Sequence, residues 1–369
     1  MLEEAARALA RIEHDVRLVG RAAPPDVALA IARMVREFSH GQRVELGDAR
    51  GTPTDLTSTR HTLARLASGS EQLGPLGELY ADRARELELE ARLVEALGTP
   101  ALGALAAERF PAPRPVHARA CAGFVAQALA EPRVAPASLH RSDDYDDPKS
   151  LVVQLGARAR ALGLSIRVDV RRDQMATAAT GHGLVCVRPG VALSAPAGER
   201  VALHELLAHA LPRARAKHAP WGLFSVGTRG AADAEEGRAL LIEERSGLFD
   251  AERRRALALR HVSALGVRAG AAPTETLREL VSLGAPLEQA AELTLRAHRG
   301  GGLGRELVYL PAYFELRAAL AVEPGLESWL ERGRLELATA RRFATGELAW
   351  PVRTPGLSRA QPNSTNTGV

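Results

Sequence analysis

Aromatic residues make up only 4% of this 369-residue chain, and cysteine and lysine are represented by two residues each. A core this short of rings has to be filled by aliphatic side chains. With Ala, Leu and Arg so abundant, that core should be built mainly from helices. Cys121 and Cys186 cannot supply a disulfide framework, and their apolar neighbours suit buried free thiols in a reducing compartment. No apolar run approaches the length needed to span a bilayer. The opening Met1 to Arg7 is acidic and amphipathic, unlike a secretory signal. A one-sided basic stripe is also lacking. The 48 basic and 44 acidic residues alternate in mixed runs, such as 85–92 and 243–255, and leave a net charge of +4. Nucleic-acid binding and membrane association are therefore not expected, and a soluble cytoplasmic protein is. All basic residues except Lys149 and Lys217 are arginine, as in a GC-rich bacterial coding sequence.

Helical periodicity covers residues 2–21, 26–38, 60–68, 76–97, 100–109, 115–131 and 149–163, with Gly and Pro at the joints. The acidic run Asp143–Asp147 lacks the spacing of a calcium loop and reads as a solvated loop capping the next helix. Alternation then predicts strands at 165–171 and 183–188, and 190–194 either forms a third or leads into the next helix. Helices resume around 233–246 and continue to about 345, and the polar tail 351–369 is expected to be disordered. His182 and Cys186 share a strand face but stand too far apart to be a thiol–imidazole pair.

The chemistry concentrates in Val201–Leu211, an apolar run that holds His204, Glu205 and His209. Zinc hydrolases need two neutral imidazoles, a third ligand that is often a carboxylate, and a free carboxylate as base. The histidines here stand at i and i+5, about 140° apart on a regular α-helix. They can meet at one ion only if the turn between them is widened into a π-turn. The competing interpretation is a histidine near a helix end, with Pro212 stopping the helix. Downstream, Asp233 suits an N-cap, and Glu236 could project as the third ligand. Gly237 would let its helix approach the metal helix closely. Glu243, seven residues after Glu236, lies on the same face and could accept an imidazole N–H. An ordinary solvated face is the alternative for Glu235, Glu236, Glu243 and Glu244. Gly300–Gly304 lacks the strand and lysine of a phosphate loop, and reads as a turn that brings later residues over the site.

These pieces resemble the microtubule-associated tyrosine carboxypeptidase family and its bacterial relatives, the flavohaemoglobin expression-modulating QEGLA-motif proteins. His204-Glu205-Leu-Leu-Ala-His209 is similar to the family's His-Glu-x-x-x-His, and Pro220 to Gly227 to its Pro-Leu-x-x-Phe-x-x-Gly link. Glu235-Glu236-Gly237-Arg238-Ala239 stands where QEGLA would. Arg296 to Gly301 and Arg305 to Leu310 resemble an Arg-x-x-Arg-Gly-Gly and a Lys-Asp-x-x-Tyr-Leu stretch. The resemblance covers about 160–315 well. It departs at Glu235, at Arg238, at Arg305-Glu306, and in lacking an Asn-Gly after the histidine helix.

The resemblance implies Zn2+ held by His204, His209 and Glu236, with Glu205 as general base. Tyr309 is a candidate oxyanion donor, and Arg296, Arg299 and Arg305 are candidates for a clamp on a terminal carboxylate. The expected fold is α+β, a mostly helical zinc-metallopeptidase-like domain with a sheet of two to four strands beside the metal helix. Residues 1–110 form an N-terminal helical region, 111–350 the metallopeptidase-like domain. The expected function is a zinc metallopeptidase, a carboxypeptidase acting on a peptide or protein C-terminus. The alternative is a catalytically silent binding or regulatory protein on the same scaffold.

Overall fold

Strong helix formers interrupted by Gly and Pro give a chain of short and medium helices. The computed structural model describes residues 1–133, 138–181 and 183–350. The tail 351–369 and His182 lie outside the described residues. Helices Leu2–Val16, Val27–Ser39, Gly74–Glu95, Leu102–Arg109, Pro115–Ala130 and Leu151–Ala161 follow the expected periodicity. The first expected helix is broken at Arg17, whose left-handed φ of 39° ends one helix and starts Leu18–Arg21.

Leu9, Leu63, Leu87 and Leu97 share one apolar core with Leu240, Leu310 and Phe343, so residues from 1–110 and 111–350 meet in continuous packing. Among the described residues no helix is long and apolar enough to cross a membrane.

Among the described residues there are five short strands: β1 (His140–Arg141), β2 (Arg167–Val170), β3 (Ala178–Thr180), β4 (Leu184–Val187) and β5 (Ala192–Leu193). β2, β4 and β3 form one sheet in that order. β2 runs parallel to β4, with Val168 opposite Val185, and β3 antiparallel to it, with Ala179 opposite Cys186. β1 pairs with β5. β1 and β3, at two and three residues, are too short to register as alternation. The run Asp143–Asp147 lies in the loop after β1; Asp147 accepts from the Lys149 N–H, but the N-cap of the next helix is Ser150. Ala178, Val185 and Val187 pack with Leu151, Leu155, Ala202 and Leu206, which fixes the sheet against the helix that carries His204. The architecture is α+β, with the small sheet where the sequence implies it.

Candidate metal centre

Ser194 caps the metal helix by accepting from the Ala197 N–H, with Pro196 in its first turn. Ala195–Leu203 is α-helical, His204–Ala210 is π-helical, and Leu211–Ala216 returns to α. The widened turn falls where the i+5 spacing requires it and brings the His204 and His209 ring centroids to 5.2 Å. Pro212 does not stop the helix, which runs on to Ala216. The hydrogen bond that a proline cannot make falls beside a turn already off the regular pattern.

The helix Ala231–Arg245 carries the carboxylates. Its N-cap is Gly230, not Asp233; Asp233 lies inside the first turn and pairs with Arg109 at 2.8 Å. His204 Nε2 lies 3.5 Å and His209 Nε2 3.9 Å from the same Glu236 oxygen, Oε2. One ligand atom from each of these three residues falls within 4.8 Å of the others, a grouping able to hold a metal ion. Glu236 Oε2 is buried and makes no hydrogen bond among the described residues.

The other imidazole edges also meet carboxylates. His204 Nδ1 is 2.7 Å from Glu243 Oε1, and His209 Nδ1 is 3.5 Å from Glu235 Oε2. Glu243 is fully buried and accepts from Arg253 at 2.7 and 2.8 Å. Burial alone would discharge these groups, but their neighbours outweigh it. Glu236 and Glu243 lift the His204 imidazolium to about 9. Arg253 and His204 pull the Glu243 carboxyl down to about 2, and Arg305 and the histidines hold Glu236 well below its ordinary range.

Glu205, 6% exposed, has a partner that no sequence pattern indicates. The Thr180 hydroxyl, at the end of β3, donates to its Oε2 at 2.9 Å. β3 is an edge of its sheet, so the sheet fixes this carboxylate from the side.

The profile of the microtubule-associated tyrosine carboxypeptidase family matches residues 37–346. The chain belongs to that family. No curated protein and no solved structure matches it. Membership makes this a carboxypeptidase-family chain, with a peptide or protein as the class of substrate.

The remaining family-like stretches build a second wall. Leu287–Gly302 ends in a turn in which Gly300, Gly301 and Gly302 have φ of 72°, 103° and 129°, a conformation that side chains resist. The Gly98 N–H donates to Gly300 O at 2.8 Å, so the turn is tied to the N-terminal helices. It leads to Arg305–Val308 and the helix Tyr309–Val322. Arg305 donates to Glu236 Oε1 at 2.9 Å and to the Tyr309 hydroxyl at 3.3 Å, which joins Tyr309 to the His204–His209–Glu236 group.

Arg296 and Arg299 do not form a free fork with Arg305. They are 3% and 2% exposed, and both turn to Glu306 Oε1, at 3.4 and 3.2 Å. The Nε atoms of Arg260, Arg296 and Arg299 and the second oxygen of Glu306 make no hydrogen bond among the described residues. Arg260, whose guanidinium carbon is 5.8 Å from the Tyr309 ring, belongs to this cluster although sequence reasoning did not single it out. Burial and the neighbouring Arg296 push the Arg260 guanidinium down to about 9.

The departures from the family pattern have structural outlets. Arg238 turns away from the metal group to Leu330 O and Glu331. A side chain at Gly237 would meet the Ala312 backbone at 2.5 Å, so this glycine admits the Tyr309–Val322 helix and not the metal helix. Cys186 is half-buried and Cys121 buried, both as free thiols.

Proposed function

We propose that this chain is a zinc-dependent carboxypeptidase that hydrolyses a peptide bond near the free C-terminus of a peptide or protein. The observation that carries this reading is the convergence of His204, His209 and Glu236 across a π-turn, with a buried Glu236 oxygen that has no hydrogen-bond partner and faces both imidazoles. Two imidazoles and one ionised carboxylate fit zinc, and the incomplete ligand set is that of a catalytic rather than a structural site. Bound zinc would supply Lewis-acid polarisation of the scissile carbonyl and make water acidic near neutral pH.

The chain's own groups do the rest. Glu205 takes a proton from the attacking water and passes it to the leaving amine nitrogen. Thr180 holds Glu205 Oε2, which orients the carboxylate and leaves Oε1 for the proton. The Tyr309 hydroxyl donates to the oxyanion that develops on the carbonyl, and the bond it accepts from Arg305 strengthens it as a donor. Arg305 meets the anionic end of the substrate, while Arg296 and Arg299, held on Glu306, supply positive charge from behind.

A mixed peptide library followed by mass spectrometry tests this. The expected result is C-terminal shortening that a chelator abolishes and zinc restores. Intact peptides with one zinc fully bound per chain would favour the catalytically silent binding protein instead.

A further inference from the structure

Both imidazoles of the candidate metal group lie between carboxylates, His204 Nδ1 at 2.7 Å from Glu243 and His209 Nδ1 at the longer distance of 3.5 Å from Glu235. Each turns Nε2 toward Glu236 and Nδ1 toward a different buried carboxylate. For His204 that carboxylate is Glu243, gripped by Arg253. For His209 it is Glu235, 6% exposed, which accepts from Arg334 at 2.9 and 3.4 Å and lies 3.7 Å from Arg213. Arg334 is itself held by Glu13 of the first helix and by Val226 O.

We infer that Glu235 is a positioning residue for the metal ligand His209, a carboxylate that fixes which ring nitrogen faces the ion. The inference rests on the zinc reading above. An imidazole can present either nitrogen to a metal, and a carboxylate on Nδ1–H commits Nε2 to the ion and makes it a better donor. A carboxylate this deep is tolerated only when cations compensate it, which Arg334 and Arg213 do. Arg334 thereby ties the orientation of His209 to the N-terminal helix that carries Glu13. Glu235 has a competing, purely structural explanation as the partner of Arg334, and the test must separate the two.

Zinc affinity is measured by competition with a chromophoric chelator for the wild type, Glu235→Gln and Glu235→Ala, together with the melting temperature of each zinc-stripped protein. Wild type that binds no zinc removes the metal reading itself, and this inference with it. If wild type binds one zinc, Glu235→Gln should weaken binding by about tenfold and Glu235→Ala by up to about 100-fold. Affinities within twofold of wild type, with only the melting temperature lowered, make Glu235 a partner of Arg334 alone; they overturn the inference and leave the metal reading standing. If the Glu235 variants fail to fold, the imidazole nitrogen chemical shifts of the zinc-loaded wild type decide: His209 should keep its proton on Nδ1 and present Nε2 to the ion, and the reverse assignment overturns the inference.

Discussion

The two walls of the candidate site handle charge in opposite ways. On the histidine wall the imidazole edges meet the carboxylates of Glu235, Glu236 and Glu243, and buried arginines hold those carboxylates ionised. On the arginine wall Arg260, Arg296, Arg299 and Arg305 gather around Tyr309, with Glu306 and the shared Glu236 as the carboxylates among them. One wall is a nest of acceptors converging on a point; the other is a buried surplus of positive charge. Opposite potentials that meet at the Arg305–Glu236 contact would suit a cation on one side and an anionic substrate end on the other. Arg305, which touches Glu236 and Tyr309 together, is the residue that joins them.

Substitutions on the histidine wall should have the largest effects. His204→Ala should lose zinc outright and with it all peptidase activity, checked by elemental analysis of the purified variant. Glu205→Gln separates binding from chemistry: zinc stays stoichiometric while kcat falls by about 10²–10⁴-fold. The arginine wall is probed by Tyr309→Phe, which removes one hydroxyl and should lower kcat by roughly 10²–10³-fold with KM little changed. A KM effect alone would reassign Tyr309 to substrate binding.

Smaller effects are expected in packing and pH dependence. Gly237→Ala places a methyl group 2.5 Å from the Ala312 backbone, at the joint between the walls. It should cost about 1–3 kcal/mol in denaturant unfolding. A neutral result would mean the helices can part without penalty. The pH dependence follows from His204, lifted from 6.5 to about 9 by Glu236 and Glu243. A folded-state value above the unfolded one means the imidazolium stabilises the fold. That contribution is complete below about 6.5 and lost as pH rises through 9, on the order of 1–3 kcal/mol. Chelator-treated protein should therefore lose thermal stability between pH 6.5 and 9, and zinc-loaded protein should not, because the ion takes the proton's place.

Local chemistry made the histidine wall readable in the sequence. The i+5 spacing of His204 and His209 forces a π-turn or separates the rings, and Glu243 follows Glu236 by two helical turns. The arginine wall was legible as a set of residues but not as a geometry. Whether Arg296 faces a substrate or Glu306 depends on a turn fixed by Gly98, some 200 positions away in the chain. Thr180 was invisible because β3 is three residues long and its contact with Glu205 depends wholly on tertiary packing. Gly237 was legible as a close approach, but the partner turned out to be the helix beginning at Tyr309, not the metal helix.

An anomalous-difference map of the purified protein at the zinc edge tests most directly whether one ion is held by His204, His209 and Glu236. A single strong peak is expected at about 2.0–2.2 Å from one nitrogen of each histidine and an oxygen of Glu236. Zinc bound elsewhere on the chain, with these three side chains bonded only to one another, would contradict it.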